Sequence, residues 1–467
     1  MLYVDLFIVN VALPAIGRDF HASVATASWT VTGYVLMIGV LPLGVGRLGD
    51  IWGHRAVYLV GLALFLIASF ACGLAPTIGV LIACRVLQGI GAAIMTPGTL
   101  AIVTRAFPPQ ERGLALGIYG GIASLGLVAG PLLGGLLVAS GSWRWVFFIN
   151  VPIGIIAIFM TYRFVSPSRG DAHAPRVDWL GLCLLACGLL GLLLALTHGT
   201  LDRWTLTFAG GGCASLALFG VVEQHVRAPL MDMALLRNRA FVGAASSFLL
   251  FSAALFGSQP YTSLFLQNTW DMSPLQGGLA FLPAVGLIAV LTPLSGILGQ
   301  RAGKHVSSVA AFGAGIMGLA FLGLAFTLTP HSTYATSFLP IFLLRGLGIP
   351  VFSTCAQLAM LAAVPPGQVG LASGTLGMAR NVGTAMGVTL LGGVYGQSLQ
   401  AALPAAVPGA LRTEADQFQV GASAVAHVGT ASAIVQGFLA LNVAAALCCG
   451  LAVVALLMIR NGGEIAR

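Results

Sequence analysis

Long apolar runs decide what this chain can fold into. A helix crosses the roughly 30 Å hydrocarbon core of a bilayer in about 20 predominantly apolar residues. Runs of that kind follow one another here, separated by stretches carrying charge, Pro or Gly. Fourteen spanning helices are predicted, over 2–16, 28–46, 57–75, 78–103, 113–139, 145–162, 179–197, 205–222, 240–267, 275–298, 306–328, 336–363, 366–395 and 431–459. Only 7% of residues are charged and 58% are hydrophobic, against about 25% charged in a soluble domain. A water-soluble globular protein is thereby excluded. Glycine, at 62 of 467 residues, suits helices that pack closely in lipid. The expected fold class is an all-α polytopic membrane protein.

Lys and Arg set the orientation, because cytoplasmic loops retain them. With fourteen crossings and both termini cytoplasmic, the inner loops and tail carry 14 of the 21 basic residues, the outer loops 4 (Arg18, Arg144, Arg203 and Arg412), and the spans 3. The net charge of +8 then reflects topology, with no call for a nucleic acid or acidic partner. All eight cysteines fall in predicted spans with neither metal nor disulfide spacing, and read as buried thiols. The His residues lie in loops or at helix ends and make no metal pair. Gly313, Gly315 and Gly318 match a dinucleotide pattern formally but follow no strand, and Gly299 to Lys304 is too short for a phosphate loop. With no nucleotide site, the expected energy source is an ion gradient.

The first segment is short. Residues 1–16 give roughly 24 Å of helix, less than the hydrocarbon thickness. With no basic leader or cleavage site, a signal peptide is not expected. We expect the first helix to begin upstream of Met1, an idea that a native mass of 47.9 kDa would refute.

The chain repeats itself. Gly46, Leu48, Gly49 and Gly53, ending in the basic Arg55, return as Gly296, Leu298, Gly299 and Gly303, ending in Lys304 and His305. Gly113 and Gly117 return as Gly370 and Gly374, and Gly126 and Gly130 as Gly383 and Gly387. Each second copy lies eight predicted spans after the first, so two six-helix halves flank two extra helices. The boundaries expected are 1–165 for the N-terminal half, 166–239 for the linker with the extra pair, and 240–467 for the C-terminal half. Parallel repeats of this kind mark transporters with a site at the midplane.

These motifs, in this order, resemble the major facilitator superfamily, and within it the fourteen-span drug:proton antiporter branch of the EmrB and QacA multidrug pumps. The resemblance rests on Asp5 to Pro14 in the first helix, the 46–55 loop, Arg85 to Gly89 with Gly91 in the fourth, Gly126 to Gly135 in the fifth, Trp143 to Pro152, and Leu266-Gln267 with Ser273-Pro274. In the second loop copy Gln300 stands where the first has Asp50. The resemblance implies the major facilitator fold, proton-coupled efflux, Arg85 as modulator of proton release, and a cytoplasmic gate at Gly46, Asp50, Gly53 and Arg55. It also implies an antiporter helix marked by Gly126, Gly130, Pro131, Gly134 and Gly135.

Physical chemistry points to an overlapping set. Ionisable side chains inside spans are costly and are functional candidates by default; here they are Asp5, Arg85, Arg345 and Arg380. Asp5 can gain or lose a proton, whereas Arg85 stays charged and can only bias that step. The alternatives for Asp5 are a purely structural pair with Arg85 or a place at an aqueous chain start. Arg345 and Arg380 have no acid in their half's spans, so carbonyls, amides, water or an anionic substrate group must meet them. Gln88, Gln259, Tyr261, Arg345 and Arg380 are candidate cavity residues, together with Phe248, Phe251 and Phe256.

The leading expectation is a proton-coupled antiporter of amphipathic, drug-like compounds in the cytoplasmic membrane. The proton is its coupling ion, and it has no other cofactor and no catalytic or metal residues. An exporter of one metabolite, anionic or not, and a non-transporting sensor are the alternatives. An enzyme is not expected, for want of any catalytic constellation. The sequence leaves open any periplasmic or outer-membrane efflux partner.

Overall fold

The structure, a computed structural model, describes every residue except 23, 109–110, 140, 167–177, 199–202, 227–234, 236, 271, 273, 330–331, 366–368, 403–429 and 461–467. Among the described residues there is no β-strand. The N-terminal half runs α1 (Leu2–Asp19), α2 (Val24–Val40), α3 (Pro42–Trp52), α4 (His54–Gly73), α5 (Ile78–Ala106), α6 (Arg112–Ala139), α7 (Trp145–Phe148) and α8 (Asn150–Phe164). Then come α9 (Trp179–His198) and α10 (Arg203–His225). The C-terminal half runs α11 (Arg239–Thr269), α12 (Pro274–Leu279), α13 (Leu282–Ala302), α14 (Val306–Thr327), α15 (Leu339–Ala362), α16 (Val369–Ala402) and α17 (Thr430–Arg460).

Helix occupies each of the fourteen apolar segments, and eight helical stretches among the described residues are long and apolar enough to cross a membrane. Three segments are broken, each near a proline. The second divides at Leu41, because Pro42 has no N–H to give the preceding turn and opens α3 instead. The sixth divides at Ile149, ahead of Pro152, and the tenth ahead of Pro283, at the start of α13.

Glycine lets helices touch backbone to backbone. A Cβ on Gly91 of α5 would lie 2.9 Å from the Gly61 carbonyl oxygen of α4, and one on Gly348 of α15 would lie 2.9 Å from that of Gly313 in α14. The same crossing therefore occurs once in each half, which gives the sequence repeat a structural register. Gly53, at φ +93°, makes the sharp turn from α3 to α4 that a side chain would strain.

The halves meet along α6 with α13 and along α3 with α16. Gly113 lies against Gly296 and the Gln300 side chain, Gly117 against Pro293, and a Cβ on Gly121 would sit 2.9 Å from the Ala289 carbonyl oxygen. This contact lies at the end of the bundle bearing the Gly53 turn. Asn381 of α16 also donates across the seam to the Ile38 carbonyl of α2, at 2.7 Å. Helices α9 and α10 pack on each other through Gly188 and Gly212, and Leu193 of α9 rests against Gly39 of α2 beside Asn381.

Candidate functional site

The first turn of α1 carries Asp5, which is fully buried. An isolated charge in such a place would be prohibitively costly, and the surrounding helices supply three donors. Arg85 Nη1 reaches Asp5 Oδ2 at 2.7 Å. Gln88 Nε2 and Asn150 Nδ2 donate to Oδ1 at 3.0 and 2.7 Å. Arg85 and Gln88 stand three residues apart on α5 and so share one face; Arg85 Nη1 also donates to Gln88 Oε1 at 2.7 Å.

A second layer orients the first. Arg85 Nε donates to the Thr30 carbonyl of α2 at 2.8 Å, and its guanidinium carbon lies 4.1 Å from the Tyr34 ring centroid. Asn150 Nδ2 also donates to Ser69 Oγ of α4 at 3.1 Å, and that hydroxyl donates to the Phe147 carbonyl at 2.9 Å. Side chains or carbonyls from α1, α2, α4, α5, α7 and α8 thus converge on one charge-balanced cluster. Protonating Asp5 would cancel the ion pair and weaken every bond that ends on the carboxylate, so the proton state of one group is tied to the packing of three helices.

The remaining predicted residues are placed as follows. Gly46 and Asp50 lie in α3, both buried; Asp50 Oδ1 is 3.1 Å from His54 Nε2, the first residue of α4. Arg55 donates to the Tyr162 carbonyl of α8 at 2.8 Å, inside its own half. On α6, Gly130 and Gly134 are buried, and a Cβ on Gly134 would lie 3.0 Å from the Ile8 carbonyl oxygen of α1. Gly126 is half-buried, Gly135 is exposed, and Pro131 lies within the helix. Gln88 belongs to the Asp5 cluster. Tyr261 donates to the Val388 carbonyl of α16 at 2.8 Å, while Gln259 and Arg380 are half-buried. Phe248 and Phe251 pack on Phe352, with ring centroids 5.2 and 3.8 Å away.

Arg345 stands apart. Only 4% exposed, it places its guanidinium carbon 4.4 Å from the Phe321 ring centroid and 5.6 Å from that of Phe342. Its Nε and Nη2 have no hydrogen-bond partner among the described residues. Sequence reasoning missed Asn150, Ser69 and Thr30, whose roles depend on tertiary contact. It also passed over Glu223, one residue beyond a predicted span, which is 3% exposed in α10. At the end of α1, Asp19 accepts from Arg144 Nη1 at 2.8 Å and Trp143 Nε1 at 3.0 Å, and these bonds hold its carboxyl below the usual carboxylate range. No group of three or more His, Cys, Asp or Glu able to hold a metal occurs among the described residues.

Known proteins bear on this architecture. The multidrug resistance protein Stp of Mycobacterium tuberculosis is 35% identical over 86% of this chain and 75% of its own length. The tetracenomycin C resistance and export protein of Streptomyces glaucescens is 32% identical over 93% of this chain and 84% of its own. In fold, the crystal structure of the human organic anion transporter MFSD10 superposes with a TM-score of 0.63 at 16% identity, covering 97% of this chain and 96% of that one. The Major Facilitator Superfamily model matches residues 1–388. With its repeated helical halves and apolar spans, this multi-pass membrane protein belongs to the Major Facilitator Superfamily of transporters.

Proposed function

We propose that the chain exports amphipathic, drug-like compounds across the cytoplasmic membrane in exchange for protons. Fourteen helices cross, both termini are cytoplasmic, and the two halves rock about a central site. The observation that carries this reading is the fully buried Asp5–Arg85 pair with Gln88 and Asn150 on the same carboxylate. In the cycle, Asp5 takes a proton from the outer side, the ion pair loosens, and the released helices let the halves re-pack. Release of the proton inside restores the pair. Arg85, which stays charged, sets when Asp5 lets go.

The resistance proteins among its relatives support efflux. Gly46, Asp50, Gly53 and Arg55 form the inner gate; Gly126, Gly130, Pro131, Gly134 and Gly135 mark the antiporter helix, where Gly134 lets α6 pack closely on α1. The energy is adequate, since one charge moved through 100 mV is worth about 2.3 kcal/mol. No cofactor is needed beyond the proton.

A narrower reading, export of one metabolite, draws support from the Streptomyces relative, which is named for a single compound. The test is efflux of a fluorescent substrate panel from inverted vesicles energised by a pH gradient. Wild-type transport that collapses with a protonophore and is lost in Asp5→Asn is expected. Transport surviving Asp5→Asn would overturn the coupling role, and silence across a chemically broad panel would favour the single-metabolite reading.

A further inference from the structure

The two halves share a register. The glycine crossing equates Gly91 with Gly348 and Gly61 with Gly313. Counting back along α5 and α15, Gln88 corresponds to Arg345 and Arg85 to Phe342; counting forward along α4 and α14, Ser69 corresponds to Phe321. Gly89 and Gly346 confirm this, since each packs on a carbonyl of the neighbouring helix, that of Tyr34 or of Ala284. Arg345 therefore occupies the position from which Gln88 reaches Asp5. No acid answers it, because α11 to α17 contain no Asp or Glu.

Arg85 meets an acid, an amide and the Thr30 carbonyl, and only its Nη2 lacks a partner among the described residues. Arg345 instead has both Nε and Nη2 without a partner among the described residues, between two phenyl faces. Asn442 of α17 is also fully buried, and its Oδ1 has no partner among the described residues; α15 and α17 both pack on α14. The N-terminal cluster pairs its buried arginine with an acid, whereas Arg345, just as buried, has no acid in the helices of its half. A guanidinium with a free edge is matched to a two-oxygen acid, and its phenyl neighbours suit an apolar body attached to that acid.

We infer that Arg345 receives the acidic group of an amphipathic organic anion, which makes a carboxylate or sulfonate a feature of the exported compound. This rests on the export reading but is tested without transport. The full chain in neutral phosphatidylcholine nanodiscs is titrated with a panel of dansyl amino acids and with their methyl esters, in which a methyl group replaces the charge. Wild type binds the acids at least about tenfold more tightly than the esters, the effect of one charge-assisted hydrogen bond. Arg345→Gln erases the preference while ester binding, the control for folding, persists; Arg345→Lys keeps part of it. Equal affinity for acid and ester, a preference that survives Arg345→Gln, or no binding of any acid by wild type overturns the inference. The same titration in phosphatidylglycerol nanodiscs should preserve the preference, and its loss there would assign the seat to a lipid headgroup and overturn the substrate assignment. Failure of pH-gradient-driven efflux would count against proton coupling alone.

Discussion

In the N-terminal half, Arg85 is buried among an acid, an amide and a backbone carbonyl; in the C-terminal half, Arg345 is buried against two phenyl rings. The helices around them cross in the same register, yet one buried arginine is paired with an acid and the other is not. Shared architecture therefore does not imply shared electrostatics. The same scaffold pairs one buried arginine with an acid, leaving only its Nη2 without a partner among the described residues, and gives the other no acid from the helices of its half.

The contrast can be broken most sharply at Asp5. Asp5→Ala leaves Arg85 buried without its counter-charge and should cost about 3–5 kcal/mol, read as a large fall in the thermal midpoint of the purified protein. Pairing it with Arg85→Leu should restore much of the midpoint without restoring transport. Arg345→Met should act in the opposite direction, raising the midpoint by on the order of 2–3 kcal/mol because it deletes a charge the half does not balance. A destabilised Arg345→Met protein would mean that the arginine is already satisfied.

The two equivalently buried asparagines sharpen the comparison further. Asn150→Ala removes a donor to a carboxylate and should cost about 1.5–3 kcal/mol, whereas Asn442→Ala loses only the Nδ2 bond to the Phe438 carbonyl and should cost about 1 kcal/mol or less. Equal losses in chemical denaturation would argue that the halves are balanced alike. The smallest effect lies at the end of α1. Because Asp19 is held below its ordinary value of 3.8 by Arg144 and Trp143, its contribution is present above that value and is lost as pH falls through the lowered one. The melting difference between wild type and Asp19→Asn should shrink from pH 6 towards pH 3.

Much of this molecule can be read before its fold is seen. Segment positions follow from hydropathy and span length, and Asp5 and Arg85 are conspicuous because charges are so rare in the apolar runs. What resists reading is whatever depends on which helix faces which. Asn150 and Ser69 are unremarkable polar residues until α8 and α4 bring them beside Asp5. Arg55, ending a loop motif, bonds Tyr162 of its own half. Tyr261, an amphipathic candidate for a cavity wall, is held by a backbone carbonyl. Residues 28–46 are predicted as one span, and the break that Pro42 imposes at Leu41 stays hidden inside a continuous apolar run.

The seam between α6 and α13 is made of main chain meeting main chain, at Gly113 with Gly296 and Gly121 with Ala289. Where main chain meets main chain there is no charge to neutralise and, apart from the Gln300 side chain beside Gly113, no rotamer to flip. The seam yields only when whole helices move, so its tightness should be indifferent to ionic strength and to acidity on either side. The chemistry that decides when to open can then sit a helix away, while the seal itself remains a matter of shape.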